Sequence, residues 1–205
     1  MQRNAEAESD RAGVMDWLVT KWNWPAASLF SACVLLALLP VWYARAGLLL
    51  TLVYLQLPLY MLHQWEEHRG DRFRLYINRT IGKGLEVLTP TATFWINLLG
   101  VWAIDLLALY LACFVNPSLG LIAIYLPLIN SLGHIMPGLA RREYNPGLGT
   151  SLLLFVPISG WSLMEVSRLS QATVASHAIG IGVALAVHGA IVAHVVHRMR
   201  RLKNV

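Results

Sequence analysis

Charge is scarce in this sequence. Charged residues make up only 13% of the 205 residues, whereas 57% are hydrophobic and the mean hydropathy is +0.55. A soluble domain carries roughly twice that charged fraction, so the composition excludes a soluble globular protein. Cysteine is scarce as well: Cys33 and Cys113 both lie within apolar segments, where we expect small core residues and no disulfide framework.

A cleavage signal and a nucleic-acid surface are also missing. No short apolar run followed by a small-residue cleavage site stands near the start, so we expect no cleaved signal peptide. The net charge of +5 and the pI of about 9.5 would suit a nucleic-acid partner. However, the basic residues flank apolar runs, where the positive-inside rule accounts for them. We therefore expect membrane lipids as partners and no nucleic acid.

Long apolar runs fill most of the chain. Segments that could cross a bilayer, which needs about 17–25 apolar residues, recur from residue 25 to residue 197. We predict an all-α polytopic membrane protein with six transmembrane helices in one bundle. The six predicted spans are 25–43, 46–65, 93–115, 118–136, 148–165 and 172–197. The predicted domains are a cytoplasmic arm at 1–24, this transmembrane domain at 25–197, and a basic cytoplasmic tail at 198–205.

The basic residues are distributed very unequally between the two sides of these spans. Of the 16 lysines and arginines, only Arg45 and Arg168 fall on one side. The other fourteen lie in the arm, in the loops after the second and fourth spans, and in the tail. The positive-inside rule then places both termini in the cytoplasm, and we expect the inner membrane of a bacterium.

One six-residue segment concentrates chemistry at the cytoplasmic end of the second span. It reads His63-Gln64-Trp65-Glu66-Glu67-His68. On a helix, Glu66 and Glu67 follow His63 by three and four residues, so a nitrogen and two carboxyl groups share one side. This arrangement is typical of half a metal site or of a proton-handling cluster. The two glutamates are about 100° apart, so both need not point at one ion.

Further polar residues are expected at the same end of the bundle. Asn130 and His134 lie one turn apart near the end of the fourth span, and Arg141 and Tyr144 follow it. Asp105 is expected about 12 Å deeper, within the third span. Ionisable groups inside a membrane span are costly to insert, so each is a candidate for function.

These motifs give the sequence a resemblance to a known family. The segment His63-Gln64-Trp65-Glu66-Glu67, a separate His134 and the element Tyr144-Asn145-Pro146-Gly147 occur in the order seen in the HXXEE family of small bacterial membrane proteins. The resemblance covers about residues 57–160. The family is uncharacterised, so the resemblance implies the membrane architecture and no activity.

The residues themselves suggest a metal centre. His63, Glu67 and His134 would ligate a divalent ion, and a mixed nitrogen and oxygen set suits iron, zinc or manganese. Glu66 would be a catalytic base or a second ligand, with Tyr144 as a further catalytic group. Arg141, Asn130 and Asp105 would contact the substrate.

Two functions remain open at this point. The first is a metal-dependent membrane enzyme acting on a lipid or other apolar small molecule, by hydrolysis or by oxidation. The second is a small proton- or ion-coupled transporter, with Asp105 in the relay. Simpler interpretations exist: Glu66 and Glu67 could pair with nearby arginines, and His177 and His188 could serve helix packing with a hydrogen bond across it. A homo-oligomer is compatible with either function.

Overall fold

The computed structural model describes residues 13, 14 and 16–204, and within them every regular element is helical. The predicted arm at 1–24 lies in large part outside these residues, including its Arg3 and Arg11. A short π-helical turn at Trp17–Lys21 precedes the bundle. Seven helices follow: α1 (Trp24–Ala37), α2 (Leu39–His68), α3 (Arg72–Thr80), α4 (Pro90–Phe114), α5 (Pro117–Arg141), α6 (Leu148–Ser167) and α7 (Val174–Lys203).

Among the described residues, five helical stretches are long and apolar enough to cross a membrane. They are Leu39–Thr80, which joins α2 and α3, followed by α4, α5, α6 and α7. The predicted all-α architecture is therefore confirmed, and the chain has the helices of a multi-pass membrane protein. The first predicted span, 25–43, covers α1, which has only 14 residues and is shorter than a typical crossing, together with the first residues of α2.

The first predicted span instead forms one arm of a hairpin with α2. Gly47 has φ of +74°, a left-handed conformation that reverses the chain inside α2 and that glycine adopts without a steric penalty. The arms then run antiparallel: the Tyr54 hydroxyl donates to the Leu35 carbonyl at 2.8 Å, and the Trp42 ring stacks on Tyr54 at 4.9 Å. The turn thus lies two residues beyond Arg45, close to its predicted place.

Prolines and π-helical turns interrupt the regular α-helical hydrogen bonding of the long helices. Pro58 lies inside α2, Pro127 inside α5, and Pro157 inside α6. The stretch Ser151–Ser159 of α6 is π-helical, which widens the helix just after its first turn. Wide turns of this kind are frequent next to functional sites.

Close packing joins α5 and α7. A Cβ atom on Gly180 would come within 2.7 Å of the Tyr125 ring and 2.9 Å of the Leu121 carbonyl oxygen. The absence of a side chain therefore allows the two helices to approach each other, as small residues do in membrane bundles. His177 bonds to the Tyr125 hydroxyl at 2.8 Å, so the predicted hydrogen bond across this interface is present.

The cysteines differ from the predicted core residues in their burial. Both thiols are free, and Cys33 is exposed on the outer surface of α1, so it is not a core residue. An apolar outer surface is normal where lipid replaces water as the solvent of the helix.

The chain enters and leaves the bundle at the same end. The Trp24 ring lies 4.9 Å from the His68 ring, at the start of α1 and the end of α2. Near the other terminus, Arg198 donates to the Glu86 carbonyl oxygen at 2.8 Å. The loops and the tail that carry most of the arginines therefore meet at one end, and the candidate site lies there.

Candidate metal centre

Three buried side chains meet between α2 and α5. The carboxylate of Glu67 places Oε2 3.5 Å from Nε2 of His63 and Oε1 3.5 Å from Nε2 of His134. One ligand atom from each of the three lies within 4.8 Å of the other two. None of the three side chains is more than slightly exposed. The structure therefore brings together all three residues that the sequence suggests as metal ligands.

Hydrogen bonding determines which nitrogen of His63 faces this cluster. Nδ1 of His63 lies 2.7 Å from the Thr150 hydroxyl. That hydroxyl lies 2.5 Å from Oε2 of Glu66, and its single proton goes to this carboxylate. Nδ1 of His63 must then be the donor to Thr150. The free lone pair of His63 is therefore on Nε2, the atom that faces Glu67.

Asn145 orients His134 in the same way. The amide nitrogen of Asn145 donates to the backbone carbonyl of His134 at 2.9 Å, which identifies the two ends of the amide. Its Oδ1 therefore accepts the proton of His134 Nδ1, at 2.8 Å. The lone pair of His134 is on Nε2, again toward Glu67.

Two imidazole lone pairs and a carboxylate thus converge, and each imidazole donates its other N–H to an oxygen. Two further groups border the cluster: Nδ2 of Asn130 is 2.9 Å from Nε2 of His63, and Nε2 of His68 is 3.1 Å from Oε2 of Glu67. Ligating histidines in metalloproteins are held by such outer bonds, which fix the tautomer. Two nitrogens and a carboxylate are also the set that iron, zinc or manganese accepts. The donor set therefore fits a divalent metal ion.

Glu66 points away from the cluster, toward the start of α6. Its carboxylate accepts from the backbone N–H groups of Gly149 and Thr150, at 3.0 and 2.7 Å, and from the Thr150 hydroxyl. An anion at a helix N-terminus is stabilised by these otherwise unpaired donors and by the helix dipole. The structure therefore separates the two glutamates: Glu67 faces the cluster, and Glu66 joins α2 to α6.

Tyr144 forms a hydrogen bond with Glu66. Its hydroxyl donates to Oε1 of Glu66 at 2.6 Å, while much of its ring is exposed. Partial burial, together with the bond to Glu66, raises the pKa of the Tyr144 phenol to about 12. Tyr144 is therefore a protonated donor at neutral pH. It does not line the cavity beside the cluster.

The loop after α5 ends at Gly147, where there is no room for a side chain. A Cβ atom here would lie 2.6 Å from Cε1 of His134 and 2.7 Å from Cε1 of His63. The residue also has φ of +99°, which other residues rarely adopt. The backbone of this loop therefore passes directly over the two imidazole rings and closes the cluster on that side.

A series of side-chain contacts runs from Trp102 to the other side of Glu67. Trp102 donates to Oε1 of Gln64, whose Nε2 donates to Oδ1 of Asn97 at 2.9 Å. Asn97 in turn places its amide nitrogen 3.1 Å from Nε2 of His68, and that Nε2 is 3.1 Å from Oε2 of Glu67. Sequence reasoning gave His68 little weight, although it directly follows the two glutamates.

A cavity of about 320 Å³ opens beside the cluster. Its polar end is formed by the side chains of Glu67, His68, Asn130, His134 and His188. Elsewhere its walls are mainly aliphatic, with contributions from Ile77, Ile96, Val101, Ile129, Val187 and Ile191. Such an apolar space with a few polar groups at one end is typical of small-molecule sites.

The predicted substrate contacts are distributed unequally. Asn130 and Arg141 line this cavity, and Arg141 lies 6.0 Å from the Tyr76 ring centre. Asp105 does not line it. It is buried in α4, and within the described residues neither carboxylate oxygen has a hydrogen-bond partner. His194 and His197 line a separate cleft near the basic tail.

Thr150 and Asn145 contact the two cluster histidines, and sequence reasoning assigned neither of them to the candidate site. Asn145 lies inside the Tyr144–Gly147 element, so its place in that motif was a usable signal. Thr150 carries no motif signal, because its role depends on α6 folding back against α2.

Comparison with known proteins agrees with these motifs. A family model described as "Protein of unknown function with HXXEE motif" matches residues 54–162. No curated protein matches the chain, and neither does any solved structure.

Proposed function

The chain belongs to the HXXEE family, and we propose that it is an integral-membrane enzyme that depends on a divalent metal ion. Its substrate is a lipid or other apolar small molecule. The observation that supports this most strongly is the convergence of Nε2 of His63, Nε2 of His134 and the Glu67 carboxylate, each with a lone pair directed inward. A buried carboxylate facing two lone pairs is unfavourable unless a cation lies between them.

His63, Glu67 and His134 would hold the ion, which is iron, zinc or manganese. When bound, such an ion supplies either Lewis acidity for hydrolysis or redox chemistry for oxidation. The outer bonds from Thr150 and Asn145 keep the two rings in position.

The shape of the cavity supports an apolar substrate. Its aliphatic walls would bind a hydrocarbon body, while its polar end would hold the reacting group beside Glu67. Its volume of about 320 Å³ is at the lower end for ligand sites, which favours a small molecule or one lipid chain over a whole diacyl lipid. Arg141 would position an anionic head group. Glu66 and Tyr144 remain candidates for proton transfer.

We also infer where the protein lies. Both termini would be cytoplasmic in the bacterial inner membrane, with the α1–α2 hairpin providing the sixth crossing. The meeting of the basic segments at one end of the bundle supports this orientation. Membrane lipids would surround the bundle, and self-association remains compatible with it.

Elemental analysis tests the metal. Detergent-purified protein is expected to contain near-stoichiometric iron, zinc or manganese, and the His63→Ala and His134→Ala variants should lose it. His177→Ala is a matched control, because His177 bonds to Tyr125 outside the cluster. Absence of metal from the unaltered protein, even after reconstitution, would overturn the proposal.

Substrate comparison tests the reaction. Lipid extracts incubated with metal-loaded protein in proteoliposomes are compared with extracts incubated with His63→Ala protein. The proposal expects one apolar compound to be consumed only by the metal-loaded protein. If the protein binds metal but consumes no such compound, the proposed metal site stands and the proposed enzymatic activity is wrong.

Asp105 supports a second candidate, a proton- or ion-coupled transporter. A buried carboxylate whose oxygens have no partner among the described residues is a common feature of transport pathways. Under this alternative, Asp105→Asn abolishes uptake into proteoliposomes and leaves metal content unchanged. Under the enzyme proposal, the same substitution leaves metal-dependent turnover in place.

A further inference from the structure

Asn130 lies between the cluster and a further, half-buried histidine, His188. It precedes His134 by one helical turn of α5, so the two side chains share a face. Its Nδ2 is 2.9 Å from Nε2 of His63, and its Oδ1 is 3.2 Å from Nε2 of His188. The amide therefore contacts a cluster residue and α7 at once.

The partners of His188 determine what this amide can donate and accept. Nδ1 of His188 is 2.8 Å from the backbone carbonyl of Ala184, and a carbonyl only accepts, so this nitrogen carries the proton. A neutral imidazole has one N–H, which leaves a lone pair on Nε2 of His188. Nε2 of His63 also presents a lone pair, because its Nδ1 donates to Thr150.

Asn130 thus lies between two lone pairs but has an NH₂ group at only one end. The two ends of a carboxamide have nearly the same shape, so hydrogen bonding decides its orientation. Rotating the amide by 180°, which exchanges Nδ2 and Oδ1, lets the NH₂ donate to Nε2 of His188, and both groups are then satisfied there. The amide oxygen then faces the cluster, where only a cation satisfies it together with His63.

We propose that Oδ1 of Asn130 is a fourth protein ligand of the metal, held in that orientation by His188. This inference rests on the proposed metal centre and extends it. The ligand set becomes two imidazole nitrogens, one carboxylate and one amide oxygen. His188 is a positioning residue, because it acts through the Asn130 amide. The added oxygen makes the set harder and favours manganese or iron over zinc.

Manganese binding tests the ligand. Metal-stripped protein in detergent is titrated with Mn²⁺ and followed by electron paramagnetic resonance. Asn130→Ala is expected to weaken binding by about ten- to hundredfold, comparable to the loss of a supporting group. Asn130→Asp keeps an oxygen and should bind at least as tightly as the unaltered protein. If Asn130 only donated its NH₂ to His63, Asn130→Asp would instead weaken binding as Asn130→Ala does.

A double-variant cycle tests the role of His188. His188→Ala alone should weaken Mn²⁺ binding about tenfold, because the amide loses its orienting acceptor. His188→Gln should rescue it, since its side-chain oxygen can accept the NH₂. In the Asn130→Asp background the His188→Ala substitution should have no effect, because a carboxylate needs no orientation. An equal loss in both backgrounds would mean that His188 acts only through packing.

His177→Ala serves as the control on the same helix. His177 bonds to Tyr125, away from the cluster, so its loss should leave Mn²⁺ affinity unchanged. Each variant is first checked for a single detergent-soluble species and an unfolding temperature near that of the unaltered protein. Unchanged affinity in Asn130→Ala overturns this inference and leaves the proposed function intact. Failure of the unaltered protein to bind any metal overturns both.

Discussion

Two hydrogen bonds join His134 and Asn145. The ring Nδ1 donates to the amide oxygen at 2.8 Å, and the amide nitrogen donates back to the His134 carbonyl at 2.9 Å. The second bond fixes the direction of the first, so the His134 lone pair is directed at Glu67. A residue in the loop after α5 therefore determines the tautomer of a residue inside α5.

Asn145→Ala should weaken metal binding about tenfold, because the His134 ring loses the acceptor that orients it. The measurement is a metal titration of the stripped protein. Asn116→Ala is the matched control, since Asn116 accepts from Ser118 at the start of α5 and not near the cluster. Equal affinities of the Asn145→Ala variant and the unaltered protein would show that the ring is oriented without Asn145.

Gly147→Ala should abolish metal binding. The new methyl group would overlap Cε1 of both His63 and His134, and the left-handed backbone adds a cost of about 1 kcal/mol or more. Elemental analysis and thermal unfolding in detergent measure the two effects. Gly189→Ala is the control, because a Cβ there meets nothing within 4 Å. Retention of metal by Gly147→Ala would mean that the loop can move away from the rings.

The two glutamates should respond differently to loss of charge. Glu66→Gln should lower the free energy of unfolding by about 1–3 kcal/mol, because an NH₂ group would oppose the donors of Gly149 or Thr150. Tyr144→Phe removes only one partly exposed bond to Glu66 and should cost less. Both are measured by thermal unfolding. If Glu66 were only a catalytic base, Glu66→Gln would abolish turnover without this loss of stability.

Glu67→Gln should abolish metal binding without destabilising the stripped protein. In the absence of a cation, the Glu67 carboxylate faces two lone pairs in addition to Nε2 of His68, whereas the glutamine NH₂ can donate to one of these lone pairs and its oxygen can stay beside His68. Metal content and the unfolding temperature of the stripped protein are the two readouts. A large drop in that temperature would show that Glu67 stabilises the fold without the metal.

Filling the cavity should separate substrate from metal. A Cβ on Gly133 meets nothing within 4 Å, and this residue lines the cavity, so Gly133→Leu adds apolar volume there. We expect it to block binding of a spin-labelled fatty acid to the metal-loaded protein while metal content stays unchanged. Gly182→Leu on α7 is the control, since its position is also open. Equal probe binding in both variants would place the substrate elsewhere.

Much of the fold follows from local properties of the sequence. Apolar runs, prolines and the distribution of arginines predict an all-helical membrane protein, and five long apolar helices agree with this. The reversal at Gly47 lies close to the predicted break between the first two spans, but five stretches of the described residues, not six, are long and apolar enough to cross a membrane. The φ angle of Gly47 leaves no hydropathy signal, so the exact residue of the turn does not follow from the apolar runs.

The sequence by itself indicated the three residues that could hold a metal ion. His63 and Glu67 are one helical turn apart, and His134 lies in the last third of the next helix that runs in the same direction, so periodicity and topology bring them to one depth. Only the tertiary structure decided which neighbouring residues contact these three side chains. The separation of Glu66 from Glu67, the contacts of Thr150 and Asn145, and the position of Asn130 against His188 all join residues far apart in the chain. Such contacts depend on how the helices pack and on which atoms carry protons, and the spacing of residues in the sequence predicts neither.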